Sequence, residues 1–468
     1  MRGISGIVVG MGLMLGGLLG PLSVEAVEPA ARSAGRASAV NAKPPASAWR
    51  AGVATVKITP KQMMWMAGYA ARNRPAEGVA QDLFAKALAL EDRAGIRVVL
   101  VTLDLIGVPR STRDWVAAEV RKRYGLEPSQ VLLNASHTHS GPEIRGEKLF
   151  DHPDAELGEQ YTVELEHQLV ALIGRALTSM APAQVDYFHA RCAFAMNRRR
   201  PAGVKGYANA PNPDGPVDHD VPVLRVSDAA GKPRVVMFGY ACHNTCLGLY
   251  RFCGDYAGAA QACFEKDHPG VVAMFMMGCG GDQNPYPRRT EELCQRHGCT
   301  LATAAEAALQ TVPRPLVGPL HTAWGEVTLD FAPPPSKAEL EKMAATNKRP
   351  HAGHAKTLLA ELAATGKIRS TYPLPVQVIR FGDQLTLVAL AGETVVDYSL
   401  RIKRELAGPA AVWVAGYSND VFGYLPSRRV LLEGGYEAAD AALWGSLPGA
   451  FTDTLEERII AKVRELAR

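Results

Sequence analysis

Five apolar runs in this chain each empty, within about five residues, into a polar side chain suited to chemistry at a rim. Val131-Leu132-Leu133 leads to His137, Val235 to Tyr240 leads to His243, and Val271 to Met277 leads to Asp282. Leu385 to Leu390 leads to Glu393, and Val412 to Ala415 leads to Asn419. Runs this short and this apolar read as buried strands. In α/β sheets the loops at strand carboxyl ends carry polar groups without disturbing the core, so five such exits constrain the fold to gather them at one rim. The order strand Arg97 to Ile106, helix Ser111 to Tyr124, strand Val131 onward is β-α-β, with Ser111-Thr-Arg-Asp114 as a capping box. These features predict an α/β fold: a mixed sheet whose C-terminal strand loops form a metal site, in a single large catalytic domain.

Other segments complete the pattern. Ala51 to Pro60 alternates as a strand, and Glu159 to Ser179 and Tyr256 to Asp267 read as helices. Val376 to Arg380 and Leu385 to Leu390 form a hairpin about Phe381-Gly-Asp-Gln384. Ser336-Lys-Ala-Glu339 caps a polar helical segment reaching Thr365, broken inside by Pro and Gly, in which His351 and His354 are expected to be solvated. Asp453-Thr-Leu-Glu456 caps a final helix with Leu455, Ile459, Ile460, Val463 and Leu466 on its buried side.

The N-terminus reads differently. Arg2, the glycine-interrupted apolar segment Ile7 to Leu22 and the small residues Val24 and Ala26 predict a signal peptide over 1–26, hence export to the periplasm or medium. Residues 27–48, rich in Ala, Pro and Ser, read as a disordered leader. Export permits disulfides. Eight cysteines allow 105 pairings, and the sequence commits to none, although Cys294 and Cys299 are spaced to close a small loop. The net charge is only +4 and no basic run exceeds Arg198-Arg199-Arg200, which argues against a nucleic-acid partner.

His137, His243 and Glu393 together make a two-His, one-carboxylate set, and a carboxylate ending a buried strand is costly unless paired or metal-bound. With one further oxygen ligand and a water, that set suits one catalytic Zn²⁺ per chain. His137 and His139, at i and i+2, share a face in extended backbone, leaving His139 as a second ligand or a proton donor. Gly278-Cys-Gly-Gly-Asp282 could present backbone N–H groups as an anion-binding nest. At least one arginine of Arg198 to Arg200 is expected to face an anionic group. The absence of GxSxG removes the commonest mark of a serine hydrolase of the α/β-hydrolase type.

The order of motifs resembles the neutral/alkaline ceramidases, zinc amidases that cleave the N-acyl bond of sphingolipids. The resemblance runs from Ala51 to Glu437 and is carried by His137-Thr-His-Ser-Gly-Pro142, Met196-Asn-Arg198, the His243 segment, Gly281-Asp282, Ala391-Gly-Glu393 and Tyr424. It implies zinc on His137, His243, Glu393 and Tyr424, with His139 and Arg198 lining the active site. His139 would then serve as general acid/base, and Arg198 with the Gly280 and Gly281 N–H groups would hold the oxyanion, beside Asp282. Where the family reads Gly-Asp-Val-Ser-Pro-Asn, this chain has Gly281-Asp-Gln-Asn-Pro285, so Asn284 stands at the serine and would orient substrate. The family's longer members continue into an immunoglobulin-like domain, and this chain is expected to lack it. The implied substrate is a ceramide-like lipid amide, met in transient contact with a membrane surface. The rival expectations are a zinc hydrolase of another amide or ester, and a non-catalytic exported binding protein.

Overall fold

A computed structural model describes residues 48–144, 155–203, 206–444 and 447–468. The expected signal segment and leader lie outside the described residues, except Ala48, which packs against the core. Eight strands make the body of the larger sheet: β1 (Trp49–Lys57), β2 (Phe84–Asp92), β3 (Arg97–Leu103), β4 (Val131–Ala135), β5 (Ala181–Arg191), β6 (Asp220–Asp228), β7 (Pro233–Tyr240) and β8 (Val272–Met277). Their spatial order is β8-β7-β6-β5-β1-β2-β3-β4, and the two-residue strand Arg314–Pro315 adds beside β5. The sheet is mixed: β7 runs parallel to β8, and β3 parallel to β4. A second sheet has the order β9 (Leu320–Asp330), β10 (Thr371–Phe381), β11 (Leu385–Leu390), β12 (Ala411–Ala415), its last pair parallel.

The period-2 alternation of side chains stacks these sheets into layers. Along β2, Ala85, Ala87 and Ala89 face the helices α1 (Arg110–Tyr124) and α2 (Ala155–Thr178). Leu88 and Leu90 point the other way, into a core shared with Ile379, Phe381, Leu385 and Leu387 of the second sheet. Along β7, Val236 and Phe238 likewise meet α3 (Asp255–Asp267) and α4 (Glu291–Leu309), while Val235 and Met237 face the second sheet. That sheet's far face, with Val376, Val378, Val388 and Leu390, packs on α5 (Val396–Glu405) and α6 (Leu455–Leu466). The result is helix, sheet, sheet, helix, with apolar residues on both faces of each sheet. The described residues fall within one compact unit, Ala46–Arg468, in keeping with the α/β architecture expected. Among them, no helix is long and apolar enough to cross a membrane.

Several local expectations need correction. The helix α1 starts at Arg110, with Pro109 at its N-cap, so Ser111 to Asp114 sit inside the first turn and cap nothing. Thr454 flanks α6 without a side-chain cap, whereas the Ser336/Glu339 box forms as read. The polar segment behind that box splits into two helices, Lys337–Ala344 and Arg349–Thr365, and its His354 is buried rather than solvated. Cys294 and Cys299 both lie on α4, where positions five apart point to different faces and cannot close a loop. Cys299 instead bonds to Cys263 of α3, and Cys294 stays a buried thiol.

The two outer strands of the larger sheet, β4 and β8, are brought together by one side chain. Asn134 Oδ1 accepts the Met277 N–H at 2.7 Å, while its Nδ2 donates to the carbonyls of Met277 (3.2 Å) and Gly416 (2.8 Å). Asn419, in left-handed backbone (φ 64°), completes the junction: its N–H donates to the Leu133 carbonyl and its Oδ1 accepts the Leu133 N–H. Asn419, expected at the rim as a chemical group, is thus a staple between strand ends. Asn134→Ala leaves the buried N–H of Met277 without its acceptor and opens a gap. The expected loss is about 3 kcal/mol, read as a lower urea midpoint at unchanged slope. A loss below about 1 kcal/mol would mean that the junction is held by packing instead.

Candidate metal centre

Four strand exits meet on the far side of that junction. Beyond β4 the chain turns sharply at His137, which takes the left-handed conformation (φ 63°). The expected extended run therefore ends one residue before the first histidine, and the turn, not strand alternation, aims the two rings at one point. Thr138 pairs with Asn244 in a parallel bridge, and the His139 N–H donates to the Asn244 carbonyl, so the β4 exit is tied to the β7 exit that carries His243. Glu393 follows β11 and pairs in register with Tyr424 in a short parallel ladder. Arg198, on the strand Ala195–Pro201, is set beside the β8 exit by pairing of that strand with Gln283–Pro285.

The donor atoms converge. His137 Nδ1–H donates to the Ile106 carbonyl at 2.6 Å, and His243 Nδ1–H donates to the Gly280 carbonyl at 2.7 Å. In the neutral rings these bonds leave both Nε2 lone pairs facing inward. The two Nε2 atoms are 3.1 Å apart, and Glu393 Oε2 lies 3.2 Å from the first and 3.3 Å from the second. His139 Nε2 is 3.1 Å from that of His137. Tetrahedral zinc with ligands at about 2.0–2.1 Å spaces those ligands about 3.3 Å apart. Facing lone pairs at that spacing repel unless a cation sits among them, and the donor set therefore fits the expected ion. Burial, then the nearby charges of Arg198 and His137, push the His243 pKa down to about 3, and burial holds His139 well below 6.5. Burial also works to raise the Glu393 pKa, but His137 and His243 outweigh it and keep the carboxylate ionised.

The remaining expected residues divide into two groups. Tyr424, Arg198 and Asn284 stand at the centre. Tyr424 Oη is 3.4 Å from His243 Nε2 and accepts a 2.7 Å hydrogen bond from Arg198 Nη2. Arg198 Nη1 donates to Asn284 Oδ1 at 3.3 Å, and Thr245 Oγ1 donates to the same oxygen at 3.2 Å, which fixes the Asn284 amide. Asp282, Gly280 and Gly281 lie in the floor instead. The Gly280 N–H donates to the Gly278 carbonyl and the Gly281 N–H to the Thr394 carbonyl, so neither is free to receive an oxyanion. What glycine supplies here is closeness: a Cβ on Gly281 would fall 2.6 Å from the Glu393 carbonyl oxygen. Asp282 is fully buried, accepts from the Val396 N–H and Asn197 Nδ2, and is a strut rather than a reacting group.

Three contributors escaped the sequence reading. Glu437 bridges Arg198 (2.8 Å) and Arg199 (2.7 Å), all three buried, and is the anion that at least one of these arginines was expected to face. Tyr417 packs its ring 4.5 Å from that of His137 and, unlike Tyr424, does not line the cavity. Gly68, at φ 102°, sits where a Cβ would meet the His139 ring at 2.5 Å. Above the donors opens a cavity of about 480 Å³, lined by His139, His243, Glu393, Tyr424, Arg198 and Asn284 among others.

Comparison with known proteins identifies the family and the fold. The family described as neutral/alkaline non-lysosomal ceramidase, N-terminal, matches residues 49–313. Neutral ceramidase A of Dictyostelium discoideum is 25% identical over 265 residues, 52% of this chain and 36% of that protein. Neutral ceramidase of Pseudomonas aeruginosa is 25% identical over 252 residues, 51% of this chain and 37% of that protein. The chain thus matches little more than a third of the length of each. The crystal structure of the Pseudomonas aeruginosa neutral ceramidase superposes with a TM-score of 0.71 at 20% identity, over 90% of this chain and 74% of that one. A ceramidase complexed with C2 gives 0.68 at 21%, over 90% and 76%, and both share the fold.

Two measurements test the donor set. After dialysis against zinc and then buffer, the protein should retain about one zinc per chain by mass spectrometry of the metal, and His137→Ala and Glu393→Gln should retain close to none. Zinc should raise the melting temperature over that in a chelator, as for any ligand that binds the folded state alone. A metal-free protein with an unchanged melting temperature would remove the metal centre.

Proposed function

The chain belongs to the neutral/alkaline non-lysosomal ceramidase family, and from that premise we propose that it is a zinc-dependent hydrolase of an N-acyl amide bond, foremost of a ceramide-like lipid. The observation that carries this reading is the set of donor atoms of His137, His243 and Glu393 at 3.1–3.3 Å, opening on the cavity. Zinc bound there would polarise a carbonyl and bring the pKa of a bound water to about 7. Tyr424, at the open side of His243, supplies the further oxygen ligand.

The rest of the chemistry falls to the protein. Hydrolysis adds water across the C–N bond: the carbonyl carbon gains oxygen and becomes carboxylate, and the nitrogen leaves as an amine after gaining a proton. His139 is a neutral base through burial, and its Nε2 faces the cluster. It takes the proton from the attacking water and returns it to the leaving nitrogen. Arg198 is held rigid by Glu437 and Tyr424, so its charge lies ready where negative charge grows on the carbonyl oxygen. This preorganised guanidinium replaces the glycine N–H groups as the oxyanion partner. Asn284, locked by Arg198 and Thr245, turns its Nδ2 toward Tyr286 Oη (3.4 Å) and is a donor for substrate, not a nucleophile. Export and transient contact with a membrane surface complete the proposal for a lipid substrate.

His139→Ala should keep its zinc while kcat toward a fluorogenic N-acyl sphingosine drops by about a hundredfold or more. Loss of zinc in that variant would make His139 a ligand instead. Absence of turnover of N-acyl sphingosines and of short N-acyl amides by the zinc-loaded protein would end the hydrolase reading.

A further inference from the structure

The cavity above the metal donors has a strongly basic wall. Arg72, Arg288 and Arg289 line it together with Arg198. Glu437 neutralises Arg198, but none of the other three forms an ion pair with a carboxylate among the described residues. Arg72 is buried and spends its donors on the carbonyls of Ala67 and Leu249. Arg288 is half-buried and makes only long contacts to Thr245, at 3.3 Å to Oγ1 and 3.5 Å to the carbonyl. Arg289 stands exposed at the rim in left-handed backbone (φ 96°). Tyr69 lies between Arg72 (5.0 Å from its ring centre) and Arg289 (5.5 Å), and its ring is 4.9 Å from that of His139. Burial and then the charge of Arg289 push the Arg288 pKa down, so these cations crowd one another.

Surface arginines normally find acids or open water; cations gathered on one wall of a pocket raise the local potential and favour an anion. A hydrogen-bonded relay places this wall next to the reacting centre. Arg198 bonds Asn284, Asn284 bonds Thr245, and Thr245 bonds Arg288. Among the described residues no acid pairs with these three charges, which a neutral lipid amide would not match and an oxyanion on the substrate would.

We propose that the preferred substrate is an N-acyl amide bearing an oxyanionic group, carboxylate or phosphate, close to the scissile bond, which Arg288 and Arg289 bind with the edge of Arg72. The proposal rests on the amide-hydrolase reading above and, within it, moves the preferred substrate from a neutral ceramide-like lipid to an anionic N-acyl amide. With an N-acyl amino acid, the step is addition of water to the amide to give a fatty carboxylate and the free amino acid.

Three compounds with the same acyl chain test it: N-lauroylglycine, N-lauroyl phosphoethanolamine and neutral N-lauroylethanolamine. Zinc-loaded protein should show a kcat/KM at least about tenfold higher for one or both anionic compounds than for the neutral one. The anion that benefits distinguishes carboxylate from phosphate. In Arg289→Gln, and further in Arg288→Gln/Arg289→Gln, the ratio of anionic to neutral kcat/KM should fall toward one, and in the parent protein it should shrink with added salt. Equal or better turnover of the ethanolamide, or a ratio unmoved by the double substitution, would overturn the inference and leave the hydrolase reading standing. If no compound is turned over, the hydrolase reading fails, and titration calorimetry with the same three compounds decides the pocket's preference. Tighter binding of the anionic compounds, lost in the double variant, supports it, and equal affinities end it.

Discussion

The site depends on a side chain that behaves as a piece of backbone. The outer strands β4 and β8 of the larger sheet do not pair with each other where their ends meet; segment 415–419 runs between them, and Asn134 joins them directly. Its amide exchanges an acceptor and a donor with the two polar groups of Met277, as a neighbouring strand would. Because the amide is buried, leaving either partner unpaired costs more than the bond itself is worth, so the two strand ends have one relative position. His137 lies three residues beyond Asn134 and Gly280 three beyond Met277, and the Gly280 carbonyl orients His243. Fixing one junction thus fixes both imidazoles.

The donors themselves work against folding. Three imidazoles and a carboxylate are gathered in a buried space, and the Nε2 atoms of His137 and His243 face each other at 3.1 Å. Glu393 Oε2 and His139 Nδ1 are buried and have no hydrogen-bond partner among the described residues. Such a cluster survives only because the surrounding layers over-determine it, and His137 and Asn419 both hold left-handed backbone there. A cation would supply the missing partner for the inward lone pairs, so that binding it and folding the rim would be coupled. The same reasoning explains Glu437. A buried guanidinium at Arg198 is tolerable only with a buried acid beside it, and the 437 region is folded back across the strand exits to provide one.

Much of this was legible in the chain. Apolar strands that end on His137, His243 and Glu393 announce their convergence, since the rim of an α/β sheet is where such residues can be tolerated. The strands Phe84–Asp92, Ala181–Arg191 and Asp220–Asp228 were missed. The first is rich in alanine, and the other two mix polar residues and proline into their alternation, so hydrophobic periodicity under-reports them. The glycines at 280 and 281 were misread for a general reason. A Gly-rich turn after a strand fits an anion nest and a close backbone crossing equally well, and only the partners of its N–H groups tell them apart. Glu437 and Thr245 carry no local signal at all. Their roles arise from contacts to Arg198 and Asn284 that no spacing in the chain encodes.

The cavity wall sharpens what the altered serine position means. With Asn284 in place of serine, the chain keeps a polar group that two neighbours hold in one orientation, and through Thr245 that group touches Arg288. A serine there would be smaller and could accept only through its hydroxyl. The amide oxygen instead accepts from Arg198 and Thr245 together, while the nitrogen remains as a donor toward the cavity. The exchange therefore couples Arg198, beside the donor set, to Arg288 of the basic wall. Asn284 and Arg288, one of the three arginines of the basic wall, thus belong to one hydrogen-bonded unit with Arg198 and Thr245. On the proposed reading the metal donors would determine what bond can be broken, and that unit which molecules bring the bond within reach.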